Sequence, residues 1–247
     1  MTTKNNRATY IFLILFITAV FIMPFISSCG KGGNASSVGF NTQLEILNLG
    51  PDVHPVNLFV QYIMQGTTSY FYPSSSGYFY LNSIGLPLQV RTAAVANTAT
   101  VNLITIDTGF LANHKYSIYI TGLVSNNTLS SILTLDDTTG TPAVGFGKIR
   151  FVNAAISSQN IATLDVAANG TAAFTKIPFK GISPYVLLPA GNYVFQIYPT
   201  GSPTTLLPTP TLQSTTIQDG RLYTLYSYGI VLNTDTSAFG ASVIINR

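Results

Sequence analysis

The side chains that most often bind metals or carry catalysis are sparse in this sequence. There are two histidines, His54 and His114, and Asp52 is an acidic residue that could share a strand face with His54. A zinc site needs three or four ligands, and no third candidate is near in the sequence. A Ser-His-acid triad would depend on the same histidines, and no Gly-x-Ser-x-Gly turn presents a serine. The sequence therefore predicts a protein that is not an enzyme and has no metal or cofactor.

Paired carboxylates are the other arrangement that could do chemistry, because two of them can hydrolyse glycosides. Adjacent acidic residues occur at Asp136-Asp137, and the segment that follows them is polar and contains Gly140 and Pro142. Such a composition is typical of a linker between domains. We expect the acidic pair to lie in a solvated loop, which leaves a glycan-processing enzyme as the least favoured function.

Aromatic residues around the loop 74–77 are the best candidates for ligand binding. Strand alternation would turn four tyrosines outward as a platform for sugar rings or for a partner protein. Alternatively, Phe71 and Phe79 fill the core while the tyrosines form cross-strand pairs on the outer face. The absence of Trp argues against a sugar ligand. The four residues are Tyr70, Tyr72, Tyr78 and Tyr80.

Residues 1–28 have the pattern of an export signal. Lys4 and Arg7 precede an apolar run, Tyr10 to Ile26, which is followed by two serines and Cys29. A basic start, an apolar middle and small residues before a cleavage site are typical of secretory signals. Cleavage before Cys29 would resemble the processing of bacterial lipoproteins. The alternative is an uncleaved transmembrane anchor, since the apolar run just reaches spanning length.

Cys29 is the single cysteine of the chain, so an intramolecular disulfide is impossible. A lipid on Cys29 would hold the protein at a membrane, and residues 29–40, rich in Gly, Ser and Asn, would form a flexible tether. We therefore expect a lipid-anchored protein of the bacterial cell envelope, on the outer membrane. The periplasmic and the surface face of that membrane are both compatible with the sequence.

The charge of the chain argues against binding to nucleic acid. The net charge is +3, and it falls when Lys4 and Arg7 leave with the signal peptide. No basic cluster then remains to neutralise phosphates. Charged residues make up 8% of the chain, against about 25% in ordinary globular domains. Uncharged polar residues must therefore supply most of the polar surface.

The chain after the tether has two similar halves. Tyr116–Gly122 and Tyr223–Gly229 share the order Tyr, hydroxyl, aliphatic, Tyr, two residues, Gly. Leu44–Asn48 resembles Ile149–Asn153 at nearly the same offset, which indicates a duplication of roughly 105 residues. A repeat of that size matches a β-sandwich domain.

Turn residues recur at short intervals in both halves, and each half contains about seven short runs with strand character. One such run is Val56–Tyr62. The sequence predicts an all-β protein of two tandem Ig-like antiparallel β-sandwiches. The expected domains are residues 41–137 and 147–247, with a linker at 138–146.

A turn in the second half shows most clearly how the local sequence sets a strand. Pro189 presets its own φ and Gly191 tolerates positive φ, so Pro189-Ala190-Gly191 is predicted to be a tight reversal. Tyr193, Phe195 and Ile197 then alternate toward one face, and Pro199 should end the strand. We expect Gly191→Val to destabilise the domain more than Gly201→Val.

A late tyrosine of the second half has a separate structural meaning. Tyr223 begins a strand four residues after Asp219, which resembles the tyrosine corner of Ig-like sandwiches, whose hydroxyl bonds to upstream backbone. The alternative is a tyrosine that only continues the strand pattern. Tyr223 and Gly191 are thus predicted to be structural residues.

Four segments of the second half together resemble a known pattern: the opening strand Gly147–Ala155, then Leu164–Val166, the hairpin Pro184–Tyr193 and the late strand Gly220–Leu225. By these segments the second half resembles a bacterial family, the exported Ig-like domain of unknown function 4397. The resemblance implies an envelope lipoprotein without assigned catalytic residues. In the first half no Pro-Ala-Gly turn precedes Leu88–Arg91.

Together these features predict an envelope lipoprotein that works as a non-catalytic binding or adhesion module for a glycan or an envelope protein. The alternative is a structural spacer or a subunit of a surface assembly. The expected partners are the membrane, through the lipid on Cys29, and a glycan or envelope protein, but no nucleic acid.

Overall fold

A computed structural model describes residues 41–247, apart from 82–83, 95–98, 137–139, 158–160, 203–204, 209–211 and 213. The predicted signal peptide, Cys29 and the tether lie outside the described residues. Across the described ranges the chain forms strands, turns and loops without a helix, which confirms the all-β prediction. No helix in this part of the chain is long and apolar enough to cross a membrane.

The strands of the first half begin directly after the tether. They are β1 (Gln43–Asn48), β2 (Val56–Val60), β3 (Ile63–Tyr70), β4 (Ser74–Ser75), β5 (Phe79–Tyr80), β6 (Leu88–Thr92), β7 (Asn102–Ile106), β8 (Lys115–Thr121) and β9 (Ser130–Leu135).

The strands of the second half repeat this order with small changes. They are β10 (Phe146–Asn153), β11 (Thr163–Ala168), β12 (Thr171–Pro178), β13 (Val186–Pro189), β14 (Gly191–Tyr193), β15 (Phe195–Pro199), β16 (Thr215–Ile217), β17 (Leu222–Tyr228) and β18 (Gly240–Ile245).

Each half is a sandwich, and the two halves have similar but not identical sheet topology. One sheet has the order β4-β1-β8-β9 in the first half, with β5 also paired to β1, and β13-β10-β17-β18 in the second. The opposite sheets are β3-β2-β6-β7 and β12-β11-β15, and β14 pairs with β16 separately. The pairs β1–β8 and β10–β17 are parallel, so the sandwiches are not purely antiparallel as the sequence predicted.

Each sandwich has its own apolar core. Leu44 and Ile46 of β1 point into the first core together with residues of β2, β6 and β8. Phe151 and Leu225 lie in the second core with residues of β11 and β15. A third cluster contains Leu47, Tyr119, Val152 and Tyr226 and therefore joins the outer faces of β1 and β8 to those of β10 and β17.

The strands β8 and β17 are buried over almost their full length, because each is covered on one side by its own core and on the other side by the opposite sandwich. The two sandwiches thus pack face to face, and residues 39–247 form one compact unit.

The Pro189-Ala190-Gly191 segment is not the hairpin turn that the sequence predicted. β13 pairs with β10, whereas β14 pairs with β16, so the segment carries the chain from one sheet to another. The alternation after it is confirmed, since Phe195 and Ile197 are buried in the core while Val194 is exposed. The strand also ends at Pro199, as expected.

The expected difference between Gly191 and Gly201 has no basis in their backbone geometry. Both have positive φ, +159° and +80°, and a Cβ at either position would meet no heavy atom within 4 Å. Two other glycines are far more constrained. A Cβ at Gly122 or Gly229 would lie 2.2 Å from the carbonyl oxygen of Thr128 or Ala238.

The predicted strand Val56–Tyr62 is in fact a strand and a turn. β2 ends at Val60, and Gln61 and Tyr62 both have positive φ, 50° and 65°, before β3 returns antiparallel. The sequence did not indicate this hairpin because neither turn residue is Gly, Asn or Asp, the types that favour such a turn.

Candidate functional site

A cluster of packed tyrosines and buried charged side chains lies between the two sandwiches. Here Tyr119 of β8 meets Tyr226 of β17, with ring centroids 5.9 Å apart. At one edge Tyr72 packs against Tyr228 in an edge-to-face contact with centroids 6.2 Å apart. Aromatic pairs of this geometry stabilise beyond the area they bury.

A buried ion pair lies beside these rings. Arg150 of β10 donates from Nη2 to Oδ1 of Asp136, which follows β9, and the two side chains are 5% and 0% exposed. Arg150 also donates from Nη1 to the backbone carbonyl of Leu135 and from Nε to Thr224 Oγ1, each at 3.0 Å. Every branch of this guanidinium is thus satisfied, as a buried charge requires. Asp136 is buried, so the expectation of a solvated loop was wrong for this residue, while Asp137 lies outside the described residues.

Hydroxyl groups complete the shell of the Asp136 carboxylate. Tyr78 and Ser117 each donate to Oδ2 at 2.7 Å, and Thr134 donates to Oδ1 at 2.6 Å. Tyr185 of the second half donates to the backbone carbonyl of Asp136 at 3.0 Å. We call the set of Glu45, Tyr78, Ser117, Thr134, Asp136, Arg150, Tyr185, Thr224 and Asn246 the interdomain network.

Asn246 links the two sides of the interdomain network a second time. Its Nδ2 donates to the hydroxyl of Tyr78 at 2.9 Å, and its Oδ1 accepts from Thr224 at 2.7 Å. The register of β17 with β18 gives Asn246 the place that Asp136 has in the first sandwich. The network therefore consists of repeat-equivalent positions that face each other.

The surroundings of the network keep Tyr78 and the neighbouring Tyr119 neutral and Arg150 charged. Burial raises the pKa of Tyr78, and the nearby Asp136 carboxylate raises it further. Burial also raises the pKa of Tyr119. For Arg150, burial acts to lower the pKa, but Asp136 and the neighbouring tyrosines reverse this, and its pKa lies above the usual value.

Within the described part of the chain, Glu45 is a buried acid that forms no ion pair. It is 2% exposed, and Ser75 donates to its Oε1, while among the described residues Oε2 has no hydrogen-bond partner. Burial raises the pKa of Glu45 to about 7, Ser75 lowers it, Asp136 raises it, and Lys115 lowers it. Glu45 therefore changes its charge near neutral pH.

The predicted tyrosine platform does not exist as one surface. Tyr70 is buried in the first core, Tyr72 packs in the third cluster, and Tyr78 belongs to the interdomain network. Of the four, Tyr80 is the one with a largely exposed ring, at 64%. The alternative was also wrong in part, because Phe71 is 61% exposed, although Phe79 does pack against the first core.

The residues first considered for metal binding are not brought together. His54 and Asp52 are exposed at the end of β1, and Asp52 instead accepts backbone hydrogen bonds from Val124 and Ser125 at 2.9 Å. His114 precedes β8, where its carbonyl accepts from Gln43. Within the described ranges no group of three His, Cys, Asp or Glu side chains could hold a metal ion.

Tyr223 makes the contact that defines a tyrosine corner. Its hydroxyl accepts from the backbone N–H of Gln218 at 2.9 Å. Tyr116 has the same arrangement in the first sandwich, where its hydroxyl accepts from the N–H of Leu111 at 2.9 Å. The same fixed loop therefore precedes the penultimate strand in both halves.

A shallow groove of about 350 Å³ lies on the second sandwich between β12 and β13. Its lining is mainly apolar, and Leu187 at its rim is 50% exposed. Ala172, Val186 and Tyr193 form much of its wall. A concave surface with a mostly apolar lining and a few polar groups is typical of ligand-binding sites.

Sequence reasoning missed Arg150, Glu45 and Asn246 as members of a site. The sequence did contain a signal for this site. Arg150 is a charged residue within the otherwise apolar strand Ile149–Asn153, and Glu45 occupies the equivalent position in Leu44–Asn48. Two opposite charges at equivalent places in buried strands indicate a shared interface, but only if the outer faces of both strands are covered.

Comparison with known families agrees with this architecture. The family model of the domain of unknown function DUF4397 matches residues 42–163 and 157–244. The chain therefore belongs to this family, and both halves take part in the match. No curated protein matches the chain significantly.

Proposed function

We propose that this chain is a non-catalytic lipoprotein of the bacterial cell envelope that acts as a structural module, a two-sandwich arm anchored through a lipid on Cys29. The observation that carries the proposal is the buried interdomain network, which fixes one sandwich against the other. A spacer or assembly subunit needs such a fixed geometry. The packing of three of the four platform tyrosines within the protein supports proposing the structural role first and the binding role second.

The fixed geometry follows from the burial of Arg150 and Asp136. Separating the sandwiches would expose two charges that lose their partners, together with the apolar rings of Tyr119 and Tyr226. Breaking a buried pair by removing one partner costs about 3–5 kcal/mol. Opening a hinge between the sandwiches would hydrate both charges, so its cost would come mainly from exposing the packed rings of Tyr119 and Tyr226 to water.

A cleavage experiment tests whether the arm is one unit. A protease site placed at the exposed residues 143–145 allows the connection to be cut in the folded protein. We expect the two fragments to stay associated in gel filtration after cleavage. Asp136→Ala should let them separate, whereas Asp107→Ala, at an exposed position of the first half, should not. Separation of the cut wild-type fragments would contradict the proposal that the two sandwiches form one rigid arm.

The anchor has its own test. Cys29→Ala should release the protein from the membrane fraction or block its processing. A variant that fractionates and migrates like wild type would show that Cys29 is not lipidated, without bearing on whether the sandwiches are locked.

A binding module is the second candidate, and the groove between β12 and β13 favours it. Its ligand would be a glycan or an envelope protein. Glycan arrays and extracts of envelope proteins, probed with wild type and with Leu187→Asp, test this role. A ligand that wild type retains and Leu187→Asp loses would favour binding over a purely structural role.

A further inference from the structure

We propose that one end of the first sandwich is a membrane-contacting surface, and that it sets how the arm stands on the lipid bilayer. The surface, here called the apolar tip, consists of Tyr62, Ile63, Met64, Tyr80, Leu86 and Leu111. The inference rests on the proposed lipid anchor at Cys29. It goes beyond that anchor because it concerns a second contact, made by the folded domain.

The apolar tip lies at the end of the sandwich where the chain enters. The first described residues, 41 and 42, lead directly into β1. Thr42 donates to the carbonyl of Leu111 at 2.8 Å and accepts from the N–H of Leu81 at 3.0 Å. Tyr80 pairs with Gln43 at the start of β1. Leu111 and Tyr80 are therefore neighbours of the point where the tether is attached.

The opposite sheet brings the remaining residues to the same end. Val60 pairs with Ile63 and also with Leu88, and Leu88 pairs with Ile106. Leu86 lies in the sequence between β5 and β6, and residues 107–114 lead from β7 to the start of β8 in the first sheet. The N–H of Gln61 donates to the carbonyl of Pro87 at 2.9 Å, so the hairpin turn and the loop of Leu86 are in contact.

The side chains of the apolar tip point into solvent although they are large and apolar. Their exposed fractions are 66% for Tyr62, 62% for Ile63, 41% for Met64, 64% for Tyr80, 42% for Leu86 and 58% for Leu111. Six large apolar side chains exposed at one end of a sandwich indicate an interaction site. Tyrosine at its rim suits a membrane surface, where the ring meets acyl chains and the hydroxyl stays hydrated.

The tether restricts this end of the chain to the neighbourhood of the membrane. From Cys29 to Asn41 the chain can extend at most about 40 Å, and a flexible chain of this length has a typical end-to-end distance of about 20 Å. The apolar tip is therefore presented to the lipid surface at high effective concentration. The tether does not hold a second copy of the protein close to the apolar tip in this way, so we favour lipid as the molecule that covers it.

The second sandwich provides an internal comparison. Its equivalent hairpin turn is Asn169-Gly170, with φ of 51° and 79°, followed by Thr171 and Ala172. These are the residues that such a turn favours. The first sandwich has Gln61-Tyr62 in the same strained turn, followed by Ile63 and Met64. Strain and exposed apolar side chains thus occur together in the sandwich that carries the anchor, which indicates a functional reason for both.

Charge at this end permits contact with lipid. Asp107 is exposed in the loop before β8, while His114 and Lys115 are half-buried at its start. The guanidinium of Arg91 lies 5.8 Å from the centre of the Tyr62 ring and donates to Gln89, so it makes its contacts within the protein. Apolar insertion, rather than charge, is therefore the main attraction.

Environment-sensitive labelling of the full-length lipoprotein tests the proposal. Lipidation consumes the thiol of Cys29, so Ile63→Cys provides a unique site for an NBD fluorophore. Thr171→Cys, at the equivalent place in the second sandwich, is the matched control. The labelled proteins are reconstituted into vesicles of phosphatidylethanolamine and phosphatidylglycerol at about 3:1, and membrane attachment is measured by flotation.

We expect both proteins to float with the vesicles. The label at position 63 should shift its emission to the blue, brighten at least about twofold and be quenched by doxyl-labelled lipids, whereas the label at position 171 should not. Replacing Tyr62-Ile63-Met64 by the Gly-Thr-Ala of the second hairpin, with a label at Leu111→Cys, should reduce the lipid quenching at position 111.

Each result has a distinct meaning. Flotation with identical spectra at positions 63 and 171 overturns the membrane contact but leaves the anchor intact. Loss of flotation overturns the anchor and this proposal with it. A blue shift at position 63 that disappears on dilution and is insensitive to doxyl lipids shows association between copies of the protein, and also overturns the proposal.

Discussion

Tyr119 and Tyr226 occupy the same place in the two sandwiches, and their rings lie 5.9 Å apart across the interface. A residue that meets its own repeat-equivalent lies near an axis that relates the two halves. The equivalent pairs Ser117 and Thr224, and Asp136 and Asn246, surround this contact. The interface thus has the character of an isologous contact between two copies of one domain, now joined in one chain.

The charges of the interface do not follow this symmetry. Glu45 and Arg150 are equivalent, and so are Asp136 and Asn246, yet Arg150 pairs with Asp136 while Glu45 has no such cation. Asymmetry of this kind favours one arrangement of the two halves over the reverse arrangement, because only one Arg–Asp pair can form.

The ion pair gives the first prediction. Arg150→Met should lower the free energy of unfolding by about 3–5 kcal/mol, because it leaves Asp136 buried without a cation. Arg221→Met removes an exposed arginine and should change the stability little. Urea unfolding of both variants measures the difference.

A double variant then separates charge from packing. Arg150→Met combined with Asp136→Leu removes both charges, and replacement of a whole buried pair is often neutral. The double variant should therefore be more stable than Arg150→Met alone. Equal stability of the two would show that the loss in the single variant comes from packing.

Glu45 gives a prediction about pH. Its pKa rises from 4.5 to about 7 in the folded protein, so the folded state binds a proton more tightly than the unfolded state. The contribution to stability is therefore fully present below pH 4.5 and is lost as the pH rises to about 7. As the pH rises from 4.5 to about 7, the free energy of unfolding of wild type should therefore fall by about 3 kcal/mol relative to that of Glu45→Gln.

The window has a second check. Ser75 lowers the pKa of Glu45, so Ser75→Ala should extend the loss of stability to higher pH. Denaturant titrations between pH 4 and pH 8 measure both effects. If the free energy of unfolding depends on pH in the same way in wild type and in Glu45→Gln, the raised pKa does not belong to Glu45.

The sequence was sufficient for the fold class and for the repeat, because strand alternation and the two Tyr–Gly motifs are local patterns. It was not sufficient for the interface. Asp136 lies in a polar segment, and nothing local shows that the outer face of β9 is covered by another sandwich. The tyrosine platform failed for the same reason, since alternation assigns a face to Tyr72 and Tyr78 but does not say whether that face meets solvent.

Removing the tyrosine-corner hydroxyl should lower the stability of the two halves by similar amounts. Tyr223→Phe and Tyr116→Phe each remove the acceptor of a backbone N–H, from Gln218 and from Leu111. A polar group left without its partner in a partly buried place costs about 1–3 kcal/mol. Tyr80→Phe, at a largely exposed ring, is the control. Thermal unfolding that finds no difference between Tyr223→Phe and Tyr80→Phe would refute the corner.

The glycines predict an unequal effect. Gly229 has φ of +77°, and a Cβ there would lie 2.2 Å from the carbonyl of Ala238. Gly229→Ala should cost about 2–4 kcal/mol, from backbone strain and from displacement of that carbonyl. Gly191→Ala meets open space and should cost about 1 kcal/mol. Melting temperatures of the two variants test the order, and a larger loss at Gly191 would contradict it.

The last prediction concerns the strained turn of the first sandwich. Gln61 and Tyr62 have φ of 50° and 65°, a region that costs residues other than Gly, Asn and Asp about 1–2 kcal/mol each. Replacing them by the Asn-Gly of the second hairpin should raise the free energy of unfolding by about 1–2 kcal/mol, because the cation–π contact between Arg91 and the exposed Tyr62 ring contributes less than the strain removes.

The reverse exchange, Asn169→Gln with Gly170→Tyr, should destabilise the second sandwich by a similar amount. Urea unfolding of the two hairpin exchanges, compared with wild type, measures both changes. If the Asn-Gly exchange lowers stability instead, the Gln61-Tyr62 turn is held by contacts that outweigh its strain, and strain at the apolar tip no longer supports a functional role for that hairpin.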